Sequence, residues 1–320
     1  MGGNNKQFAG ETRVKQHDNV AWIDVENPSS EVFDQLETEY HLHPFHLNES
    51  IQKIQLNKVE REKTYLFLLL HVPVTGANNE LFVQQIGVFL GKNYLVTIHS
   101  GASPLIDELF TLFERSSGHR QEYSSKGSGY LLYGIIKRLL DNLWTVSQDV
   151  INELDAIEEL VFGNNRSDAY QIGQTRQKIV RLRQIIGSLK IILADLAEQV
   201  DTFSGGHLAK HYANNTKTAN KLWEVIEEAK ETVEIYKDAD FTTSTEKTNE
   251  ILAILTLVFT FTIPITVIGT LYGMNVPLPG GLATGAWTFL GTYTSFGILV
   301  ALSCSAAIGM FLYFKRKRWF

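Results

Sequence analysis

The chain has 320 residues, of which 44% are hydrophobic and 20% charged, and its formal net charge at pH 7 is −6. Its first 250 residues hold all 35 acidic residues but only 25 of the 29 basic ones, a net charge of −10. Because nucleic-acid binding needs a basic face, this balance argues against a nucleic-acid partner. The single cysteine, Cys304, excludes an internal disulfide and a cysteine zinc cluster.

The first part of the chain, residues 1–127, is predicted to form an α/β domain, because strand-like apolar runs are mixed with a helical segment. Ser30 is predicted to cap a helix that continues to Leu36. The turn residues Gly91-Lys92-Asn93 should join the last two of four strands in a hairpin. The four strands are expected at 20–25, 65–72, 82–90 and 94–98.

Three long helices are predicted to follow. Residues 128–162 carry apolar residues at helical spacing until Gly163-Asn164-Asn165 interrupts the pattern, and a second helix is expected at about 168–203. These two helices should form an antiparallel pair, which defines a helical region at 128–213. A third helix should begin near Asn214, and no Gly or Pro interrupts it before Pro264. Its residues 214–250 are predicted to be a stalk that continues into a membrane.

An uncharged run, residues 251–314, is predicted to be the membrane domain. Since a helix of about 20 apolar residues crosses a bilayer once, the run holds two crossings, expected at about 251–272 and 287–314. The basic tail, residues 315–320, places the C-terminus in the cytoplasm by the positive-inside rule. Two crossings put the N-terminal domain on the same side, and no signal peptide is visible. We therefore expect a multi-pass protein of the cell (inner or plasma) membrane, in contact with the lipid bilayer, with both termini cytoplasmic.

One face of the third helix suggests a cation path. Two crossings per chain cannot enclose a hydrophilic path, so a pore would require an oligomer. A stripe with a 3.5-residue period, typical of helices that supercoil around each other, is acidic in the stalk and mixed threonine and apolar in the membrane. A solvated acidic face is the alternative explanation of its stalk half. The stripe comprises Glu224, Glu227, Glu231, Glu234, Asp238, Thr242, Thr245, Asn249, Leu252, Thr256, Phe259, Ile263, Thr266 and Thr270.

The outer end of the first crossing carries the sequence Tyr272-Gly273-Met274-Asn275. Gly273 lets the helix end and expose its carbonyls, and Asn275 offers a neutral amide oxygen. Magnesium gives up its water reluctantly, so a ring of amide oxygens could hold the hydrated ion and still release it. By itself, Gly-x-Asn at the end of a helix is also an ordinary C-cap.

The tripeptide Gly-Met-Asn, just after the first of two C-terminal membrane helices, resembles the signature of the CorA-type magnesium and divalent metal ion transporter family. Ile263-Pro264-Ile265-Thr266 and the basic sequence from Phe314 to Trp319 are similar to further stretches of that family. The resemblance implies a homopentameric, funnel-shaped channel and not an enzyme. It also implies uptake of Mg²⁺, with Co²⁺ and Ni²⁺ as further ions, driven by the membrane potential. No cofactor is implied, and Mg²⁺ would be both the transported ion and a regulatory ion.

Several residue roles follow from the resemblance. Asn275 would form the selectivity ring with Gly273, between Tyr272 and Met274. The pore positions would be Asn249, Leu252, Leu255, Ile263 and Thr266, to which the stripe adds Thr256, Phe259 and Thr270. Asp238 matches an acidic stalk position of the family, and its stripe neighbours Glu234 and Glu231 are further candidate metal ligands.

The sequence departs from the family pattern at two places. The loop 276–281 has no carboxylate, which should weaken the attraction of cations to the outer mouth. The stretch 210–215 has no acidic residue where family members have one for sensing cytoplasmic magnesium.

The sequence is compatible with alternative hypotheses. The chain could be a zinc-preferring or proton-coupled transporter of the same architecture, or a membrane-anchored sensor without transport. His41, His43 and His46 crowd one stretch and could bind zinc, although a turn that leads into a helix explains them as well. No phosphate-binding loop of the Gly-x-x-x-x-Gly-Lys-Ser/Thr type occurs, so nothing points to ATP-driven transport.

Overall fold

A computed structural model describes residues 12–17, 20–52, 56–76, 81–115, 127–163, 169–204, 208–274, 278–279, 281, 285–291 and 293–317. The chain divides into two compact units, Met1–Asp238 and Ala239–Phe320, and one long helix contributes to both. The boundary between the two units falls inside the predicted stalk. The other predicted domain boundaries remain predictions.

A six-stranded mixed sheet lies at the centre of the first unit, with the strand order β1-β2-β6-β5-β4-β3. Strands β2 and β6 are parallel, whereas each other neighbouring pair of described strands is antiparallel. The predicted hairpin of β5 and β6 is confirmed. The strands are β1 (Thr12–His17), β2 (Val20–Glu26), β3 (Lys58–Arg61), β4 (Tyr65–Thr75), β5 (Leu81–Gly91) and β6 (Tyr94–His99).

Helices cover both faces of this sheet, which confirms the predicted α/β class. On one face, α1 (Ser30–Tyr40) and α2 (Pro44–Ile51) pack on a buried cluster that includes Ile23, Phe67 and Val96. On the other face, α3 (Pro104–Arg115) places Phe110 4.8 Å from Trp22, between ring centroids. The helices α4 (Ser128–Phe162) and α5 (Ala169–Ser204) contact β4 and β5. Strand β4 is therefore buried almost throughout, as its unbroken apolar sequence indicates.

The first helix differs from the prediction at both ends. Ser29, not Ser30, is its N-cap, and the Ser29 hydroxyl accepts a hydrogen bond from the Val32 N–H at 3.4 Å. The helix continues beyond Leu36 to Tyr40 and ends where His41 adopts a left-handed backbone conformation, with φ of 54°. Strands β4 and β5 also extend further than predicted, to Thr75 and from Leu81.

The long helices agree with the sequence except at one start. Helix α4 has its predicted bounds, and α5 is shifted by one residue. Helix α6 (Ala209–Gly273) begins before Asn214, because the chain is already packed there: Leu208 and Tyr212 are buried. The Tyr212 hydroxyl also donates a hydrogen bond of 2.8 Å to the carbonyl of Gly129 in α4.

In the second unit, the last helix, α7 (Thr294–Arg316), starts later than the predicted residue 287. Gly291 has φ of 112°, which a right-handed helix cannot contain, so residues 287–290 lie outside the helix. The predicted first crossing, 251–272, forms the C-terminal part of α6, which ends at Gly273. Both α6 and α7 are long and apolar enough to cross a bilayer.

A buried ionic cluster joins β1, β2, β6 and α3 in the first unit. The side chains of Asp24 and His99 are fully buried, with Asp24 Oδ1 3.3 Å from His99 Nε2. The Thr97 hydroxyl and the Arg13 guanidinium both donate hydrogen bonds to the Asp24 carboxylate, and Arg13 also reaches Asp107. Burial alone would lower the pKa of His99, but the close contact with the negatively charged Asp24 carboxylate outweighs it and raises that pKa.

The raised pKa of His99 predicts how stability changes with pH. A group whose pKa is higher in the folded state stabilises the fold fully below its unfolded pKa, which is about 6.5 for histidine. That stabilisation is lost as the pH rises through the higher, folded pKa. The thermal unfolding midpoint should therefore fall as the pH rises from about 6 to 9, more in the wild type than in His99→Gln. Equal slopes in the two proteins would contradict this assignment.

Candidate functional site

Within the second unit, one side of α6 is covered by the rest of that unit. Thr260 and Pro264 are buried on this side of α6, and Ser303 and Ala307 are buried on α7. The rings of Phe261 and Phe311 lie 6.2 Å apart between centroids, which places the two helices side by side. Pro264 therefore lies inside the helix and on its covered side.

The predicted pore face of α6 is left uncovered in the single chain. Leu252, Phe259 and Ile263 are between 52% and 57% exposed. Phe259 and Ile263 each come one residue before a buried position, and one residue corresponds to a rotation of about 100° around a helix. They therefore lie on the flank of the helix beside the covered side, not on the covered side itself. All the predicted pore positions are exposed: Asn249, Leu252, Leu255, Thr256, Phe259, Ile263, Thr266 and Thr270.

The threonines on this face share one arrangement. The hydroxyl of Thr256 donates to the carbonyl of Leu252 at 2.8 Å, that of Thr266 to Thr262 at 2.9 Å, and that of Thr270 to Thr266 at 2.8 Å. Each hydroxyl proton is thus used within the helix. The outward side of each oxygen keeps free lone pairs, so this face offers hydrogen-bond acceptors, which suit the water shell of a cation.

At its C-terminal end, α6 stops at Gly273, and Met274 is 57% exposed. The Met274 N–H donates a hydrogen bond of 3.3 Å to the carbonyl of Leu271. The Tyr272 hydroxyl donates to the carbonyl of Pro279 at 2.9 Å, which ties the following loop to the helix end. Asn275, the predicted selectivity residue and metal ligand, lies outside the described residues.

The three predicted stalk ligands differ in their surroundings. Glu234 is held by Lys237 Nζ and by Arg176 Nε of α5, each at 2.6 Å, and these hydrogen bonds lower its pKa to about 2. Glu231 is exposed, and the side chain of Asp238 is 77% exposed and lies 3.5 Å from Lys237. A metal ion that binds Glu234 would therefore have to displace the Arg176 guanidinium and the Lys237 ammonium.

Basic residues of α5 that face the stalk were not predicted. Arg176 pairs with Glu234 and Arg183 with Glu227, while Arg183 and Lys190 lie over the Trp223 ring at 5.2 and 5.7 Å. The signal was present in the sequence, because Arg176, Arg183 and Lys190 recur every seven residues. Glu227 and Glu234 have the same spacing on α6, as expected where two antiparallel helices meet along one seam.

The three clustered histidines have separate places. His43 is the N-cap of α2, since its Nδ1 accepts a hydrogen bond from the Phe45 N–H at 3.1 Å, which agrees with the turn explanation. His41 is exposed at the end of α1. His46 points inward, where it joins Glu49 and Glu60 rather than the other histidines in a group with the geometry of a metal site.

Comparison with known proteins gives the family. The profile described as CorA-like Mg²⁺ transporter protein matches residues 17–316, nearly the whole chain. The chain belongs to the CorA-like Mg²⁺ transporter family. As a CorA family member it is a membrane protein that transports divalent cations, and the family consists of transporters and channels rather than enzymes.

Relatives and a solved structure agree with this assignment. The chain is 25% identical over 301 residues to the cobalt/magnesium transport protein CorA of Thermotoga maritima, covering 93% of this chain and 83% of that protein. It is 22% identical over 306 residues to the CorA protein of Methanocaldococcus jannaschii, covering 94% and 91%. The structure of the CorA magnesium transporter from M. jannaschii superposes with a TM-score of 0.74 at 20% identity, over 94% of this chain and 92% of that one. The predicted CorA fold, an α/β domain with a long helix and two membrane helices, is thereby confirmed.

Proposed function

We propose that this CorA-family chain forms a homopentameric channel that takes up Mg²⁺, with Co²⁺ and Ni²⁺ as further ions. The observation that carries the proposal is the uncovered face of α6, which leads along the membrane helix to Gly273 and Met274. Because two helices per chain cannot enclose a path, the same face from several copies has to close around a symmetry axis. The covered side of α6 remains with α7, on the outside of such an assembly.

The chemistry of this face suits a hydrated divalent ion. Rings of outward-facing threonine oxygens from Thr256, Thr266 and Thr270 would accept hydrogen bonds from the water shell of the ion. Apolar rings at Leu252 and Phe259, among others, would separate them, and narrow apolar rings can close a pore by excluding water. We infer that the pore opens when these rings move apart.

The outer ring is proposed to consist of the Asn275 amides and the Gly273 carbonyls. Neutral oxygens can hold Mg²⁺ through its bound water and release it, because the ion is not stripped of its shell. The loop 276–281 contributes no carboxylate, so selection would depend on the amide ring more than on charge at the mouth.

We propose that both termini are cytoplasmic and that the membrane potential drives uptake. A divalent ion gains about 4.6 kcal/mol for each 100 mV of potential. Mg²⁺ is also proposed as the regulatory ion at the stalk. Among the candidates, Asp238 and Glu231 are the more accessible, because Glu234 is engaged by Arg176 and Lys237.

Ion flux into proteoliposomes that contain the purified protein tests this function. We expect uptake of Mg²⁺, Co²⁺ and Ni²⁺ that increases with an inside-negative potential and needs no proton gradient. Uptake of Zn²⁺ but not Mg²⁺, with a proton gradient required, would support the zinc-transporter alternative instead. Absence of flux for every divalent ion would favour a membrane-anchored sensor.

The hydrogen bond between Tyr272 and Pro279 allows a further prediction. Tyr272→Phe removes one hydrogen bond, worth about 0.5–1.5 kcal/mol, and loosens the loop beside the proposed ring. If that energy holds the conducting geometry, Mg²⁺ flux should fall by roughly twofold to tenfold. Tyr293→Phe is the matched control, because the Tyr293 ring is 83% exposed, and its flux should equal the wild type. Equal flux in both variants would show that the loop does not support the ring.

A further inference from the structure

A second group of metal-ligating side chains lies in the first unit, where α2 meets the edge strand β3. His46 and Glu49 come from successive turns of the same face of α2, and Glu60 comes from β3. Their ligand atoms all lie within 4.8 Å of one another, and His46 Nε2 is 2.8 Å from Glu60 Oε2. Ligand atoms about 2.0–2.2 Å from one metal ion are at most about 4.4 Å apart, so a small inward movement of these side chains is enough for all three to reach one ion.

A cation of the chain itself already occupies this group. Lys58 Nζ lies 2.5 Å from Glu49 Oε2 and 2.9 Å from Glu60 Oε1, between the two carboxylates. It also lies 5.7 and 5.5 Å from the ring centroids of Phe45 and Phe67. The surroundings therefore favour positive charge at a defined point, with the His46 ring nitrogen beside it.

We propose that a divalent transition-metal ion, Zn²⁺ or Co²⁺, binds to His46, Glu49 and Glu60 in exchange for the Lys58 ammonium. Imidazole nitrogen is a preferred ligand of these ions, whereas Mg²⁺ prefers an all-oxygen octahedral shell. One nitrogen and two carboxylates therefore discriminate against Mg²⁺. The proposal is independent of the channel, since the site lies in the first unit and uses none of the pore residues.

The residues around His46 fit a role as metal ligand. Its other ring nitrogen, Nδ1, is 2.8 Å from the Tyr65 hydroxyl. The same hydroxyl accepts a hydrogen bond of 3.0 Å from the His43 N–H. The ring is stacked on Phe67 at 4.5 Å between centroids and is nearly buried. Such partners fix the ring orientation of metal-binding histidines.

The exchange is balanced in charge and protons. With Lys58 in place, one ammonium faces two carboxylates, and a divalent ion would neutralise both. A carboxylate only accepts hydrogen bonds, so Nε2 carries a proton while it contacts Glu60. When Nε2 binds the metal, that proton shifts to Nδ1, or leaves to water if Nδ1 is already protonated, and Nδ1–H then donates to the Tyr65 oxygen. Lys58 is on an edge strand with its side chain 24% exposed, so its ammonium can move into water when displaced.

The test uses the full-length protein in detergent, Zn²⁺ calorimetry and the visible absorption of bound Co²⁺. Lys58→Met should tighten Zn²⁺ binding by about tenfold or more, because it removes the competing cation but keeps most of the stem. His46→Gln should bind one Zn²⁺ fewer per chain and lose the Co²⁺ absorption of the nitrogen ligand. His41→Asn is the control for a neighbouring exposed histidine, and should match the wild type.

Two results would overturn the proposal. One is Zn²⁺ stoichiometry in His46→Gln equal to that of the wild type. The other is a folded Lys58→Met protein with unchanged or weaker binding. Tighter Zn²⁺ binding by Lys58→Met would also show that the variant is folded, because a misfolded protein would not gain affinity. If folded Lys58→Met cannot be purified, the Zn²⁺ stoichiometries of the wild type and His46→Gln test the proposal by themselves. Excess Mg²⁺ is expected not to displace the bound Zn²⁺, and displacement would contradict the assigned ligand chemistry.

Discussion

Asn275→Ala is expected to abolish divalent cation flux while the protein still folds and assembles. The proposed ring holds the ion by amide oxygens, and alanine offers none at that position. A hydrated Mg²⁺ would then meet an apolar ring, which accepts no hydrogen bonds from the water bound to the ion. Flux of Mg²⁺ and Co²⁺ into proteoliposomes should fall to the level of protein-free vesicles.

The matched control is Asn152→Ala, because Asn152 is exposed on α4 in the first unit and far along the chain from the ring. It should keep wild-type flux. Asn275→Asp extends the test: a carboxylate ring should bind divalent ions more tightly and slow their release. Wild-type flux in Asn275→Ala would remove the amide ring from the mechanism, whatever the behaviour of the other two proteins.

Much of the fold could be predicted because its signals are local. Gly127 and Gly163 flank the apolar repeat of α4, and the helix has the bounds that they indicate. The turn at 91–93 likewise joins β5 and β6 as expected. The uncharged run 251–314 contains the apolar part of α6 and most of α7. In each case, the pattern of a single segment determines the element.

Most of the errors occur where contacts with distant parts of the chain determine the structure. Helix α6 starts early because Tyr212 is anchored on α4, which the residues near 209 do not reveal. Helix α7 starts late because Gly291 adopts a positive φ that an apolar sequence does not predict. Periodicity places Glu234 on one face of the stalk, but it does not show that Arg176 lies opposite. Glu60 joins His46 only because β3 lies beside α2, so the spacing of the three histidines points to His46 but not to its partner Glu60.

The ionic cluster in the first unit should have the largest effect on stability. Asp24→Asn is expected to lower the free energy of unfolding by about 3 kcal/mol or more at neutral pH, because removing one partner leaves buried charge uncompensated. The Asp24 carboxylate is fully buried against His99 and accepts hydrogen bonds from Arg13 and Thr97. The Trp22 indole donates to Thr97 at 3.1 Å, so tryptophan fluorescence in a denaturant titration should report the loss.

Asp107→Asn separates this effect from a general loss of negative charge. Asp107 binds the same guanidinium of Arg13, but its side chain is 41% exposed, so its removal should cost less than about 1 kcal/mol. The pH dependence gives a second distinction. Without the Asp24 charge, the pKa of His99 should no longer be raised, so the stability lost above about pH 6.5 should disappear in Asp24→Asn and persist in Asp107→Asn. If the pH dependence persists in both, a group other than the buried pair of Asp24 and His99 must titrate on unfolding.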